Sequence, residues 1–268
     1  SEKALRVLGF AVKILKNIPE DDEENIEFDM TFIGVAGMID PPRKEVAESV
    51  RTCRSAGIRT IMITGDHKVT ALAIAKELSI WQNGDTVISG EDLSAMSEKE
   101  LDQAVGHATV FARVSPADKL RIIQSLKRNG EVAAMTGDGV NDSPALKAAD
   151  IGVAMGRTGT DVAKEASDMI LLDDSFTTIA YAIKEGRRVY RNIQKVIQFL
   201  LAGKNSGVTK LFFAHFFYLG APPLAVPFFL VDLGNAPLPP LALWGGPATK
   251  KIMKNKTVKA GNPSLSDL

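Results

Sequence analysis

Cysteine is nearly missing: Cys53 is the one thiol in 268 residues. That excludes any intrachain disulfide, and any zinc or soft-metal site built from several cysteines of this chain. Cys53 reads as a small helix residue. Net charge is missing too, since 32 Lys+Arg balance 32 Asp+Glu. No charged-then-apolar leader opens the chain, which begins Ser-Glu-Lys rather than with Met; this suggests an internal piece of something longer. A composition of 45% hydrophobic and 24% charged residues excludes a disordered, collagen-like or disulfide-scaffold protein. The length suits a packed domain of ordinary size with something smaller beside it.

The zero net charge hides a split. From Phe176 onward twelve basic residues face three acidic ones, Glu185, Asp232 and Asp267, so the tail carries +9 and residues 1–175 carry −9. An acidic front half argues against a nucleic-acid partner. Basic residues flanking an apolar tail point instead to a membrane.

Along the chain, the acidic run Asp21–Glu24 marks a boundary. Short apolar runs follow at Phe32–Ile39, Thr60–Ile63, Thr109–Phe111, Val132–Met135, Ile151–Ala154 and Met169–Leu172. Continuous apolarity suits strands buried on both faces of a parallel sheet. Helices are expected between them. Pro41-Pro42 precedes Arg43–Ala56, which Gly57 can end. Ser115-Pro116-Ala117-Asp118 has the pattern of an N-cap, a first-turn proline and an acidic third residue, and it opens a helix that Gly130 can close. Strand–helix alternation of this kind defines an α/β doubly wound parallel sheet.

After Asp173-Asp174 the texture changes. Phe176–Leu201 reads as one long helix, basic over Arg187–Lys195. Eight of 13 prolines and seven of 12 phenylalanines lie beyond Ile197, a combination that suits membrane helices better than a water-soluble core. A span needs about 20 residues, so Leu211–Leu243 has room to complete a transmembrane hairpin turning near Leu219–Leu224. Basic clusters at both ends place both ends on the cytoplasmic side.

Three clusters sit at the carboxyl ends of expected strands, the edge where open α/β sheets hold ligands. Thr64-Gly65-Asp66 follows Ile61–Ile63, and Lys119 lies in the first turn after Ser115. Thr136-Gly137-Asp138-Gly139-Val140-Asn141-Asp142 follows Val132–Met135. In the last, two carboxylates four residues apart occupy a glycine-rich loop directly after a buried strand. Glycines admit a ligand close to the backbone, and carboxylates are hard oxygen ligands suited to Mg²⁺. The Thr64 hydroxyl and the Lys119 ammonium could hold a phosphoryl group against that ion, an arrangement suited to phosphoryl transfer. A polar strand-end loop with two helix caps would show the same residues.

The string Met135-Thr-Gly-Asp-Gly-Val-Asn-Asp-Ser-Pro-Ala-Leu-Lys147 closely resembles the hinge motif of P-type ATPases. So do Gly37-Met-Ile-Asp-Pro-Pro-Arg43, Met62-Ile-Thr-Gly-Asp66, Phe111-Ala-Arg-Val114 and Ile151-Gly-Val-Ala-Met-Gly156, all in the family's order. The resemblance spans nearly the whole chain and is closest to the calcium-pump branch and related bacterial cation pumps. It implies a haloacid-dehalogenase-like phosphorylation domain, ATP and Mg²⁺ as cofactors, and a multi-pass membrane protein whose phosphorylation domain is cytoplasmic. Its partners would be ATP, a transported cation (calcium-like), membrane lipid and the remainder of the pump polypeptide.

Carried over by motif, Thr64, Gly65 and Asp66 would line the phosphate site. Lys119 would neutralise phosphoryl oxygens, and Asn141 would hydrogen-bond one of them. Asp138 would bind Mg²⁺ with Asp142 in support, while Arg113 and Arg6 would face the nucleotide. The implied organisation is the end of a nucleotide-binding domain over 1–30, a phosphorylation domain over 31–180, a stalk over 181–192, and a transmembrane hairpin with its tail over 193–268. The hairpin would hold the family's fifth and sixth membrane helices.

The departures are as informative. The family's Asp-Lys-Thr-Gly-Thr nucleophile motif and its Thr-Gly-Glu motif do not occur here; in the family's order both precede residue 1. The chain thus resembles the carboxyl-side piece of a pump. In the fifth membrane helix Val208 aligns with a glutamate of calcium pumps, two residues from Lys210. Asn205, Asp232 and Asn235 remain as candidate oxygen ligands for a transported cation. Lack of a Cys-Pro-Cys motif disfavours a heavy-metal pump. A soluble phosphatase of the same fold, or a non-catalytic nucleotide- or Mg²⁺-binding module, stays open as an alternative.

Overall fold

A computed structural model describes residues 6–15, 28–38, 41–217, 238–249 and 251–254. It divides into two compact units. The first comprises Ser1–Arg51 and Arg59–Leu172, the second Thr52–Ile58 and Asp173–Leu268.

In the first unit, β1 (Arg6–Val12) pairs antiparallel with β2 (Thr31–Met38), with a bulge at Phe10/Ala11. The sequence pattern suggests a buried parallel strand at Phe32–Ile39 and shows no strand in the apolar stretch before it. The ribbon corrects both points. Apolarity on both faces reveals a demand for cover but not the direction of pairing. That demand is unmet by the described residues: Phe10 is 50%, Ile33 67% and Val35 66% exposed.

After the ribbon come α1 (Lys44–Ser55), β3 (Met62–Thr64), α2 (Lys68–Glu77), β4 (Thr86–Ser89), α3 (Gly90–Ala95), α4 (Glu98–Ala104) and β5 (Ala108–Ala112). They are followed by α5 (Pro116–Arg128), β6 (Ala134–Gly137), a 3-10 turn (Val140–Asp142), α6 (Ser143–Ala148), β7 (Ile151–Met155), α7 (Asp161–Glu165) and β8 (Met169–Leu171). All pairing among β3 to β8 is parallel. Instead of one doubly wound sheet, however, there are two of three strands, ordered β3-β5-β4 and β6-β7-β8. β3 and β6 each stand at an end of their sheet, paired on one side only, to β5 and to β7, among the described strands. One apolar core serves both sheets: Phe111 and Ile88 from the first, Met135 and Ala154 from the second, and Ile122, Ile123 and Leu126 from α5.

The helix starts follow local chemistry. Ser89, Ser97 and Ser115 each form a reciprocal capping box with the acidic residue three positions on, and Pro116 opens α5. Gly57 and Gly130 adopt φ of 76° and 74° just past α1 and α5, the left-handed step that ends a helix.

In the second unit, α8 (Phe176–Phe216) runs unbroken for 41 residues. The helix expected to end at Leu201 continues through Gly203 and Gly207 to Phe216. Glycine costs a helix about 1 kcal/mol but keeps its N–H donor, so the ladder continues. No helix among the described residues is long and apolar enough to cross a membrane. The expected turn at Leu219–Leu224 and the pair Asp232 and Asn235 lie outside the described residues. A short helix, α9 (Leu238–Trp244), leads to a segment clasped onto α8. Buried Asn192 donates to Trp244 O and Gly246 O at 2.8 and 2.9 Å, and Arg187 donates to Ile252 O and to Ala56 O at 3.0 and 2.6 Å.

Candidate active site

The strand-end clusters do meet, through a chain of hydrogen bonds. At the carboxyl end of β3 the Thr64 hydroxyl donates to Asp66 Oδ2 at 2.9 Å and accepts the Asp66 N–H at 3.1 Å, folding Thr-Gly-Asp into a tight turn. Asp66 and Gly65 are exposed and Thr64 half-buried. The loop after β5 grips this turn: Arg113 N–H donates to Asp66 O at 3.0 Å and Val114 N–H to Thr64 O at 3.3 Å. One residue further, the Ser115 cap starts α5 and sets Lys119 in its first turn.

Lys119 reaches the third cluster. Its Nζ lies 2.6 Å from Asp142 Oδ1, so in this arrangement its ammonium meets a carboxylate of the loop after β6. The other oxygen of Asp142 accepts the Asp138 and Gly139 N–H groups, both at 3.3 Å. Asp142 is therefore buried and held from three sides, while Asp138 is exposed. Gly137 is required at this point: a Cβ there would sit 2.5 Å from Asp142 Cβ and 2.9 Å from its Oδ2. Asn141 lies in the 3-10 turn with its side chain exposed.

Other expected residues have no recorded bond in this chain of contacts or are beyond description. Arg6 opens β1. Asn205 is on α8, exposed, with its carbonyl accepting the Thr209 hydroxyl at 2.7 Å. Asp232 and Asn235 are outside the described residues. Among the described residues no group of three or more His, Cys, Asp or Glu side chains could hold a metal. Two carboxylates, one exposed, do fit the Mg²⁺ pattern of one or two protein carboxylates completed by phosphate oxygens and water. Arg113 is exposed and adopts a left-handed φ of 55°. Nothing in the sequence signals that conformation, because arginine has no preference for it.

Beneath the site, charged contacts fasten α5. Asp102 accepts from Arg128 and from the Ser125 hydroxyl, and these contacts, Arg128 first, hold its carboxyl below the usual range. Asp150 accepts the Ala133 N–H at 2.9 Å and pairs with Lys127 at 3.2 Å. The backbone bond, with Lys127 in support, likewise lowers its pKa.

A domain of parallel sheets and helices with a threonine, a lysine and paired aspartates at its strand ends fits a hydrolase class. The chain belongs to the haloacid dehalogenase-like hydrolases: that family's model matches residues 6–150, and a second model of the same description matches 119–183. It is 48% identical over 256 residues to calcium-transporting ATPase 1 of Bacillus cereus, and 46% identical over 256 residues to the calcium-transporting ATPase of Bacillus subtilis. In both cases 96% of this chain and 29% of the relative are covered. It is 52% identical over 180 residues to human calcium-transporting ATPase type 2C member 1, covering 67% of this chain and 20% of that protein. The chain thus spans under a third of the length of these curated relatives.

Proposed function

We propose that this chain is the carboxyl-side part of an ATP-driven cation pump working through an aspartyl-phosphate, and that it supplies the phosphate- and Mg²⁺-binding half of the phosphorylation domain. The observation that carries the reading is the hydrogen-bonded path from the Thr64 turn through Val114 and Ser115 to Lys119 and Asp142. It gathers a hydroxyl, an ammonium and two carboxylates at one set of strand ends. Such a site acts by positioning and by charge stabilisation rather than by covalent chemistry of its own.

In this reading Thr64, Gly65 and Asp66 line the phosphoryl position, Asn141 donates to it, and Lys119 neutralises it after leaving Asp142. Asp138, with Asp142 behind it, would hold Mg²⁺, which supplies charge neutralisation at the phosphate when bound. Arg113 and Arg6 face the nucleotide. A strand ending in the nucleophilic aspartate would fit beside the unpaired edges of β3 and β6, and the uncovered β1–β2 ribbon, which joins the end of the nucleotide-binding domain to the start of the phosphorylation domain, would be covered by the remainder of the pump polypeptide. The cation is calcium-like, as the relatives' names suggest. The segment beyond residue 193 is read as a membrane hairpin, with Asn205, Asp232 and Asn235 as candidate ligands and the catalytic domain on the cytoplasmic side.

The soluble-phosphatase alternative also needs a nucleophilic aspartate, and it leaves a basic 41-residue helix with an aromatic end unexplained. The coding sequence upstream of residue 1 tests the proposal. A continuous frame carrying Asp-Lys-Thr-Gly-Thr supports the pump, and a stop codon directly upstream overturns it.

A further inference from the structure

Gly90 opens α3 and is buried, yet it lies far in sequence from every motif that carries chemistry. A Cβ built on it would collide with the carbonyl oxygen of Arg113, and it would also approach Arg113 C at 3.0 Å and Val114 Cα at 3.5 Å. These are backbone atoms and cannot swing aside as a side-chain tip can. The peptide that Gly90 lets approach is the one in which Arg113 adopts its left-handed φ of 55°. Non-glycine residues rarely hold that conformation unless their surroundings impose it.

What this turn holds is the site. The two N–H groups flanking the left-handed step, of Arg113 and Val114, donate to the carbonyls of Asp66 and Thr64. The next residue, Ser115, caps α5 through Asp118 and accepts the Lys119 N–H at its carbonyl at 3.3 Å. Gly90 is itself fixed, because the Ser89–Asp92 capping box sets the start of α3 and Lys68 lies 3.5 Å from Asp92. We infer that Gly90 and the left-handed backbone of Arg113 form a positioning strut that sets the Thr64–Asp66 turn and the first turn of α5 in register, and so fixes where Lys119 meets Asp142. The inference assigns Arg113 a backbone role separate from its side chain. Its significance for phosphoryl transfer rests on the function proposed above; its geometry does not.

Four variants of the full chain separate backbone from side chain: Arg113→Gly, Arg113→Asn, Arg113→Val and Gly90→Ala. All three Arg113 variants delete the guanidinium. Glycine and asparagine tolerate the left-handed region, whereas β-branched valine resists it. The readouts are amide exchange at positions 113 and 114 and the NMR signals of Thr64, Asp66 and the Lys119 ammonium, recorded without nucleotide. Arg113→Gly and Arg113→Asn should keep these signals. Arg113→Val and Gly90→Ala should shift them and speed exchange at both amides about tenfold, the loss of one hydrogen bond's net worth, while β7 and α6 signals stay in place. If valine leaves the signals unmoved, or glycine and valine perturb them equally, the strut is refuted. Should Gly90→Ala fail to fold, the Arg113 series decides alone. Because no nucleophile or nucleotide is involved, failure here leaves the pump proposal standing, and failure of the pump proposal leaves the strut standing.

Discussion

Replacing Gly137 by alanine adds one methyl at the most crowded point of the site. The new Cβ would lie 2.5, 2.8 and 2.9 Å from Asp142 Cβ, Cγ and Oδ2, each inside ordinary contact distance, so Asp142 must move. Because its carboxylate joins the Lys119 ammonium to the Asp138 and Gly139 amides, one displacement strains several contacts. Overpacking of this kind costs about 1–3 kcal/mol. With a urea slope of about 2 kcal/mol/M, that lowers the unfolding midpoint by roughly 0.5–1.5 M. Trp81 lies in the same unit, its indole N–H bonded to Asp85 O at 3.0 Å, and can report the transition once Trp244→Phe silences the other tryptophan. A double-mutant cycle with Lys119→Met then locates the effect. If the methyl acts through Asp142, the cycle should show coupling of about 0.5–3 kcal/mol. An unchanged midpoint, or strict additivity, would show that Asp142 is not clamped as described.

In the second unit, Arg187→Met should destabilise by about 1–3 kcal/mol, because it leaves the Ala56 and Ile252 carbonyls without a charged donor; Trp244 fluorescence in a Trp81→Phe background reads this transition. Burial already pushes the Arg187 pKa down, so Arg187→Lys should not restore the loss. For Asp150, a lowered folded pKa means that its stabilisation is full above the ordinary aspartate value of about 4 and disappears as pH falls through the folded value. Wild type should therefore exceed Asp150→Asn in stability at neutral pH and converge on it in acid; parallel curves would contradict this. The isolated chain should not hydrolyse ATP, since no residue here is expected to form the aspartyl-phosphate; turnover abolished by Asp138→Ala would contradict that. With Cys53→Ala as background, a cysteine at Ala221 should label from outside intact cells and one at Asn255 only after permeabilisation. Labelling of both from one side would refute the hairpin.

The parts of the fold that show plainly in the sequence are those written in local chemistry. Ser115-Pro116 and Gly130 bound α5 because caps and left-handed glycines act within one turn. The strand-end loops stand out because a buried strand followed by glycine and aspartate has few other uses. β4 is not legible because Thr86–Ser89 sets only two apolar residues between a threonine and a serine. The direction of β2 is not legible because an apolar run buried on both faces and one awaiting cover look alike. The division into two sheets is a non-local property: each strand looks buried, and only pairing reveals that β3 and β6 are each paired on one side alone among the described strands. In the site, Thr64, Lys119, Asp138 and Asp142 were legible by type and spacing. The Lys119–Asp142 pair and the Gly90–Arg113 contact were not, because each joins segments more than twenty residues apart.

The most direct measurement grafts residues 31–180 in place of the matching segment of the Bacillus subtilis calcium-transporting ATPase and follows transfer of the γ-phosphate of radiolabelled ATP to protein. An acid-stable, hydroxylamine-sensitive phosphoenzyme, lost in Asp138→Ala and Lys119→Ala grafts, is the expected result. A folded, ATP-binding graft that never becomes phosphorylated would contradict the assignment of this chain to aspartyl-phosphate chemistry.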